Sequence, residues 1–199
     1  MGTHRQKTIF ILFSILILAL GFWLIFLQSD RLPVMVQMQG GAKIGEPAPD
    51  FLLSNLDGNL VHLGNGKGKV IFLNFWATWC PPCKEEMPWM ESLYQRLKGR
   101  PFEMLAVSID EEGKEAVRPF MEKFSLTFPA LLDRDRKIAA IYGITGIPET
   151  FIMNKQGMID LKILGPQNWT EKKWLDYFDR LLEEKREVSL PAKDPVRQP

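Results

Sequence analysis

Cys80 and Cys83 lie where an apolar run meets an amphipathic one, and that junction limits what the chain can fold into. Val70 to Trp76 is nearly continuous in apolar residues, fit for a strand buried on both faces. From Lys84 to Lys98, residues Met87, Met90, Leu93, Tyr94 and Leu97 recur at helical spacing. Pro88 falls inside that helix and is expected to kink it, because proline removes a backbone donor. Pro81 and Pro82 suit a first helical turn, whose N–H groups have no intrahelical partner. Cys80 is therefore predicted at a helix N-terminus straight after a buried strand, with Cys83 one turn along.

That position changes the chemistry of a thiol. The thiolate is the nucleophile, and a free cysteine with a pKa of ~8.5 supplies little of it at neutral pH. Unpaired backbone N–H groups and the helix dipole stabilise the anion at a helix start. Cys80 is then the attacking sulfur, and Cys83 is close enough to resolve a mixed disulfide. A mere staple is the competing reading. A closed loop of about four residues stabilises by only about 2 kcal/mol, against ~4.7 for one of about 100 residues. A zinc site would need further ligands, and His62 is the only histidine beyond His4.

The rest of the body alternates strands with helices. Asp57-Gly58 between Phe51-Leu52-Leu53 and Leu60-Val61 predicts a hairpin. Further strands are predicted over 102–109, 128–132, 149–154 and 158–164, and helices over 114–124, 134–142 and 170–185. The fold class expected is α/β, a mixed sheet flanked by helices. Residues 187–199, with three prolines, read as a disordered tail.

Residues 9–27 are apolar except for Ser14 and Gly21, and as a helix they span about 28 Å, close to the ~30 Å hydrocarbon core. Arg5 and Lys7 precede the run, which leans toward a cytoplasmic N-terminus (1–8) with the remainder outside. A cleaved signal peptide is the alternative, but its apolar region is usually ~7–15 residues and ends in small residues. Here Phe22, Trp23, Ile25, Phe26 and Leu27 fill the end, so an uncleaved transmembrane anchor is expected, followed by a tether over 28–44 and a folded domain over 45–186. Beyond residue 30 the chain carries 23 basic and 23 acidic groups, which leaves no basic footprint for nucleic acid.

Asn74-Phe75-Trp76-Ala77-Thr78-Trp79-Cys80-Pro81-Pro82-Cys83-Lys84 closely resembles the active-site signature of the thioredoxin superfamily. Gly45-Glu46-Pro47-Ala48-Pro49-Asp50-Phe51 looks like the opening of its membrane-anchored TlpA, ResA and CcmG (DsbE) branch. Gly143-Ile144-Thr145-Gly146-Ile147-Pro148-Glu149-Thr150-Phe151 resembles the cis-proline loop of that branch, and 111–133 its central αβ insertion.

The resemblance implies a thioredoxin-like fold with an N-terminal β-hairpin, and a cis Ile147-Pro148 bond that turns the Ile147 backbone toward Cys80 to pair with an extended substrate. It implies that Trp79 shields the thiolate and offers an apolar docking surface, with plain packing as the alternative. Glu86 is similar to the glutamate of the ResA-like group, implying that it takes the proton of Cys83. The alternative is a solvated carboxylate in the Lys84-Glu85-Glu86 run. For Glu149 the two readings are a group facing the incoming substrate and, preferred, an exposed strand carboxylate. Where thioredoxin has a buried aspartate, this chain has Asn74.

The expected activity is reduction of protein disulfides outside the cytoplasmic membrane, such as those of apocytochrome c during cytochrome c maturation. No metal or organic cofactor is expected. The pair would be recharged by a membrane thiol transporter of the CcdA or DsbD type. A disulfide-inserting oxidant and a redox-inert assembly module are the rival readings.

Overall fold

The computed structural model describes residues 41–184. The expected anchor at 9–27, the N-terminus at 1–8, most of the tether and the tail at 187–199 lie outside the described residues. Among the described residues, no helix is long and apolar enough to cross a membrane.

The chain forms β1 (Leu52–Asn55), β2 (Leu60–His62), a 3-10 turn (Leu63–Gly66), β3 (Val70–Trp76), α1 (Pro81–Leu97), β4 (Phe102–Ser108), α2 (Lys114–Lys123), β5 (Ala130–Leu132), α3 (Lys137–Tyr142), β6 (Glu149–Met153), β7 (Ile159–Leu164) and α4 (Lys172–Glu183). Among the described residues, seven strands make one mixed sheet in the order β2-β1-β5-β4-β3-β6-β7. β3 runs parallel to β4, and β4 to β5, while β6 lies antiparallel to β3. The α2–β5 insertion thus widens the sheet by one strand, onto which the β1–β2 hairpin is added antiparallel.

β3 is central and all seven of its residues are buried. Alternation along a strand sends its side chains to opposite faces. Phe72 meets Trp169 and Phe178 of the α4 region, and Trp76 meets Phe120 of α2. On the other face Phe75 packs on Tyr142 of α3 and Phe151 of β6. Burying each such ring stabilises by roughly 1.5–3 kcal/mol, so both faces of this strand anchor the core.

As expected, Pro81 and Pro82 occupy the first turn of α1 behind Cys80, and the helix continues through Pro88, where the Ser92 hydroxyl donates to the Pro88 carbonyl. One detail differs from the sequence expectation: the packed domain reaches back beyond residue 45 to Gly41. The Ala42 N–H donates to the Tyr142 carbonyl at 3.1 Å. Gly41 and Gly143 face each other so closely that a Cβ on Gly143 would lie 2.8 Å from the Gly41 Cα.

Candidate active site

The parallel strands β3 and β4 end side by side, and the loop 77–80 lies across their C-terminal ends, where ligands of such sheets bind. Asp110, two residues past the end of β4, fixes that loop. Its carboxylate accepts from the Thr78 N–H at 3.0 Å, the Thr78 hydroxyl at 2.6 Å and the Ser108 hydroxyl at 2.7 Å. Cys80 follows as the N-cap of α1 in extended conformation. Pro81 and Pro82 offer no N–H, so the first free donor of the helix is that of Cys83, and it points at the Cys80 Sγ from 3.3 Å.

Cys80 and Cys83 form a disulfide with Cα atoms 5.3 Å apart. Cys83 is fully buried, whereas Cys80 retains slight exposure. The Ile147–Pro148 bond is cis, and the Cys80 Sγ lies 3.7 Å from the Ile147 carbonyl oxygen. Trp79 projects outward at 54% exposure. With Ile109, Ile144, Ile147 and Arg136 it lines a groove of about 320 Å³ beside the cysteines.

Beneath the pair the surroundings are polar. Glu86 shares the buried face of α1 with Cys83, three residues away, a spacing that puts Cβ atoms roughly 5–6 Å apart. It is fully buried, so the solvated reading of the Lys84-Glu85-Glu86 run fails for this residue. Its Oε1 accepts from the Trp169 indole N–H at 2.6 Å and the Gln167 N–H at 3.1 Å, and its Oε2 from the Asn74 amide at 3.4 Å. Burial pushes the carboxyl up from 4.5 to about 7, although all three hydrogen bonds oppose the shift. Asn74 also donates to the Thr150 hydroxyl at 2.9 Å, and its own carbonyl oxygen has no partner.

Glu149 is not the exposed carboxylate expected. β6 lies between β3 and β7, so Glu149 is buried, 3.1 Å from the Lys162 ammonium of the neighbouring strand, with Oε2 unpartnered. Sequence reasoning also missed Asp110, Trp169 and Gln167. Asp110 carried a usable signal, because it closely follows a buried strand parallel to the one that leads into the cysteine loop. Trp169 and Gln167 carried none, lying more than 80 residues from Glu86 along the chain. His62 ends β2 and is hydrogen-bonded to Asp50 at 2.5 Å. Among the described residues no cluster of three or more His, Cys, Asp or Glu could hold a metal ion.

Residues 44–162 match the AhpC/TSA family. The chain is 40% identical over 125 residues to thiol-disulfide oxidoreductase ResA of Bacillus anthracis, covering 63% of this chain and 72% of that protein. It is 38% identical over 135 residues to ResA of Bacillus subtilis, covering 68% and 74%. Among solved structures, a protein assigned as thiol:disulfide interchange protein DsbE from Chlorobium tepidum superposes with a TM-score of 0.66 at 27% identity, over 71% of this chain and 99% of that one. StoA from Bacillus subtilis does so at 0.56 and 31% identity, over 66% and 98%.

Proposed function

Because the chain belongs to the AhpC/TSA family, among its ResA-type thiol–disulfide oxidoreductases, we propose that it reduces disulfides of protein substrates, with Cys80 attacking and Cys83 resolving. The observation that carries this division is the Cys83 N–H aimed at the Cys80 Sγ from 3.3 Å. A sulfur so placed is stabilised as the thiolate, while Cys83 sits deeper and away from any incoming protein.

The electron count closes without a cofactor. The Cys80 thiolate attacks one sulfur of the substrate disulfide, forming a mixed disulfide and expelling the other substrate sulfur as a thiolate. Cys83 gives its proton to Glu86 and attacks Cys80, releasing the second substrate thiolate. The Cys80 thiolate and the Cys83 thiol have become a disulfide, the substrate disulfide has become two thiolates that take protons from solvent, and the Cys83 proton rests on Glu86. A base acts best when its pKa lies near the working pH, and burial holds the Glu86 carboxyl near 7. Reduction of the Cys80–Cys83 disulfide reverses the path and returns the proton from Glu86.

The substrate backbone pairs beside Ile147 as an added strand while Trp79 supplies apolar contact. The resemblance to the CcmG and ResA branch supports an extracytoplasmic domain held by a single-pass anchor at 9–27. It also supports apocytochrome c disulfides as substrates and a CcdA- or DsbD-type transporter as electron donor. Cys83→Ser tests the reading. It should accumulate a mixed disulfide through Cys80 with its partner protein, identifiable by mass spectrometry. No trapped partner in the presence of a measurable Cys80 thiolate would refute it. Equilibration with glutathione buffers tests direction: a potential near the −270 mV of thioredoxin marks a reductant, one near the −120 mV of DsbA an oxidant.

A further inference from the structure

We infer that the groove beside Cys80 selects disulfide substrates that carry an acidic side chain next to the reacting cysteine, with Arg136 as the cation that reads it. The inference rests on the oxidoreductase reading and deepens it.

Of the residues lining the groove, Arg136 alone carries a charge; the others are apolar or, at Thr145 and Gly146, small and neutral. Its backbone is left-handed at φ 56°, a conformation uncommon outside glycine. That conformation is held from both sides. The Arg136 N–H donates to the Asp133 carbonyl at 3.0 Å, and its carbonyl accepts from the Ala140 N–H at 2.9 Å. The Asp133 carboxylate in turn accepts from the Ile138 and Ala139 N–H groups at 3.1 and 2.8 Å. The start of α3 is therefore already satisfied by the protein's own acid, and what remains available at the groove is the Arg136 side chain.

The guanidinium is held loosely. Its one partner among the described residues is the Glu111 carboxylate at 3.3 Å, in a pair whose side chains are 49% and 76% exposed. Such exposed pairs are worth little and re-form readily with a better placed carboxylate. A guanidinium has five N–H donors in a fixed fork, so one contact leaves most of them free for a substrate acid. Glu149 does not offset this charge, since Lys162 neutralises it within the sheet. The substrate stretch that fits is thus apolar where it meets Trp79 and acidic where it passes Arg136.

The test uses three disulfide-bonded peptides, identical except for Asp, Asn or Lys beside the reacting cysteine, and compares kcat/KM on the whole protein. Wild type should prefer the Asp peptide over the Lys peptide by about fivefold at low salt, as expected for one exposed charge contact changing sign. Arg136→Glu should reverse the order, and Arg136→Lys should keep it. In wild type the preference should also shrink toward unity at about 1 M salt, where screening acts within about 3 Å, a readout independent of how any variant folds. Equal rates for the three peptides in wild type, or an order untouched by Arg136→Glu, would overturn the inference while leaving the oxidoreductase reading in place. Failure of wild type to reduce any of the peptides would overturn both.

Discussion

The two sides of the Cys80–Cys83 pair are built of opposite materials. Toward the sheet, where apolar packing is the rule, lie Glu86, Asn74 and Thr150, all fully buried, with the Trp169 indole donating into the group. Toward solvent, where polar groups are the rule, lie an exposed Trp79 and the apolar walls of a groove. In the proposed mechanism this inversion separates two tasks. Moving a proton at neutral pH needs a carboxyl kept from water, whereas holding a protein substrate needs apolar surface presented to it. One helix start serves both, with Cys80 at the surface side and Cys83 at the interior side.

The largest effect expected on this contrast is at the cysteines. Cys80→Ser should reduce turnover to background, while Cys83→Ser should keep the first attack and stop at a stable mixed disulfide, distinguishable by rapid quench and mass spectrometry. If the two variants fail in the same way, the two sides are not functionally different.

Glu86→Gln comes next. It keeps the shape and can still accept from Trp169 and Gln167, but it cannot take a proton. Resolution should slow by about 100-fold, within the range for a positioned base, and its pH dependence near 7 should disappear in single-turnover traces. The same residue links stability to pH. Its pKa is raised from 4.5 to about 7 on folding. Below 4.5 both states hold the proton and Glu86 costs nothing. Above that the unfolded chain releases it first, so stability falls as pH rises through 7, by about 3 kcal/mol in all. Urea titrations across this window should show that fall in wild type and its loss in Glu86→Gln.

Trp169→Phe should have a smaller effect. It removes the 2.6 Å hydrogen bond that holds the Glu86 carboxyl down, so the pH midpoint of resolution should move upward, with a stability loss of about 1–2 kcal/mol by denaturant unfolding. On the outer side, Trp79→Ala should be mildest for the fold. Its exposed ring contributes little to stability, so the melting temperature should hardly move while KM for a protein substrate rises about threefold.

What the sequence made legible follows the same division. The strand Val70–Trp76, the helix start at Cys80 and the hairpin around Asp57-Gly58 are encoded in contiguous residues, through apolar runs, paired prolines and a turn dipeptide. The environment of Glu86 is assembled from α1, β3 and the loop before α4, and no local pattern announces which distant indole will meet a carboxylate. Glu149 departs from the sequence expectation for a related reason. A carboxylate at the end of a strand ordinarily faces water, and its burial follows only from the topology that puts β7 outside β6 and supplies Lys162. Arg136 escaped because a left-handed arginine is a property of the Asp133 loop rather than of its own residue type.

The claim beneath this account is that a water-free carboxyl under Cys83 is half-protonated at neutral pH. A carbon-13 NMR titration of the Glu86 side chain in the oxidised, folded protein measures that directly, with Glu86→Gln identifying the resonance. A midpoint near 7 is expected. A midpoint near the ordinary glutamate value of about 4.3 would mean that Glu86 is a plain anion at working pH, and the interior side of the pair would have no proton to exchange.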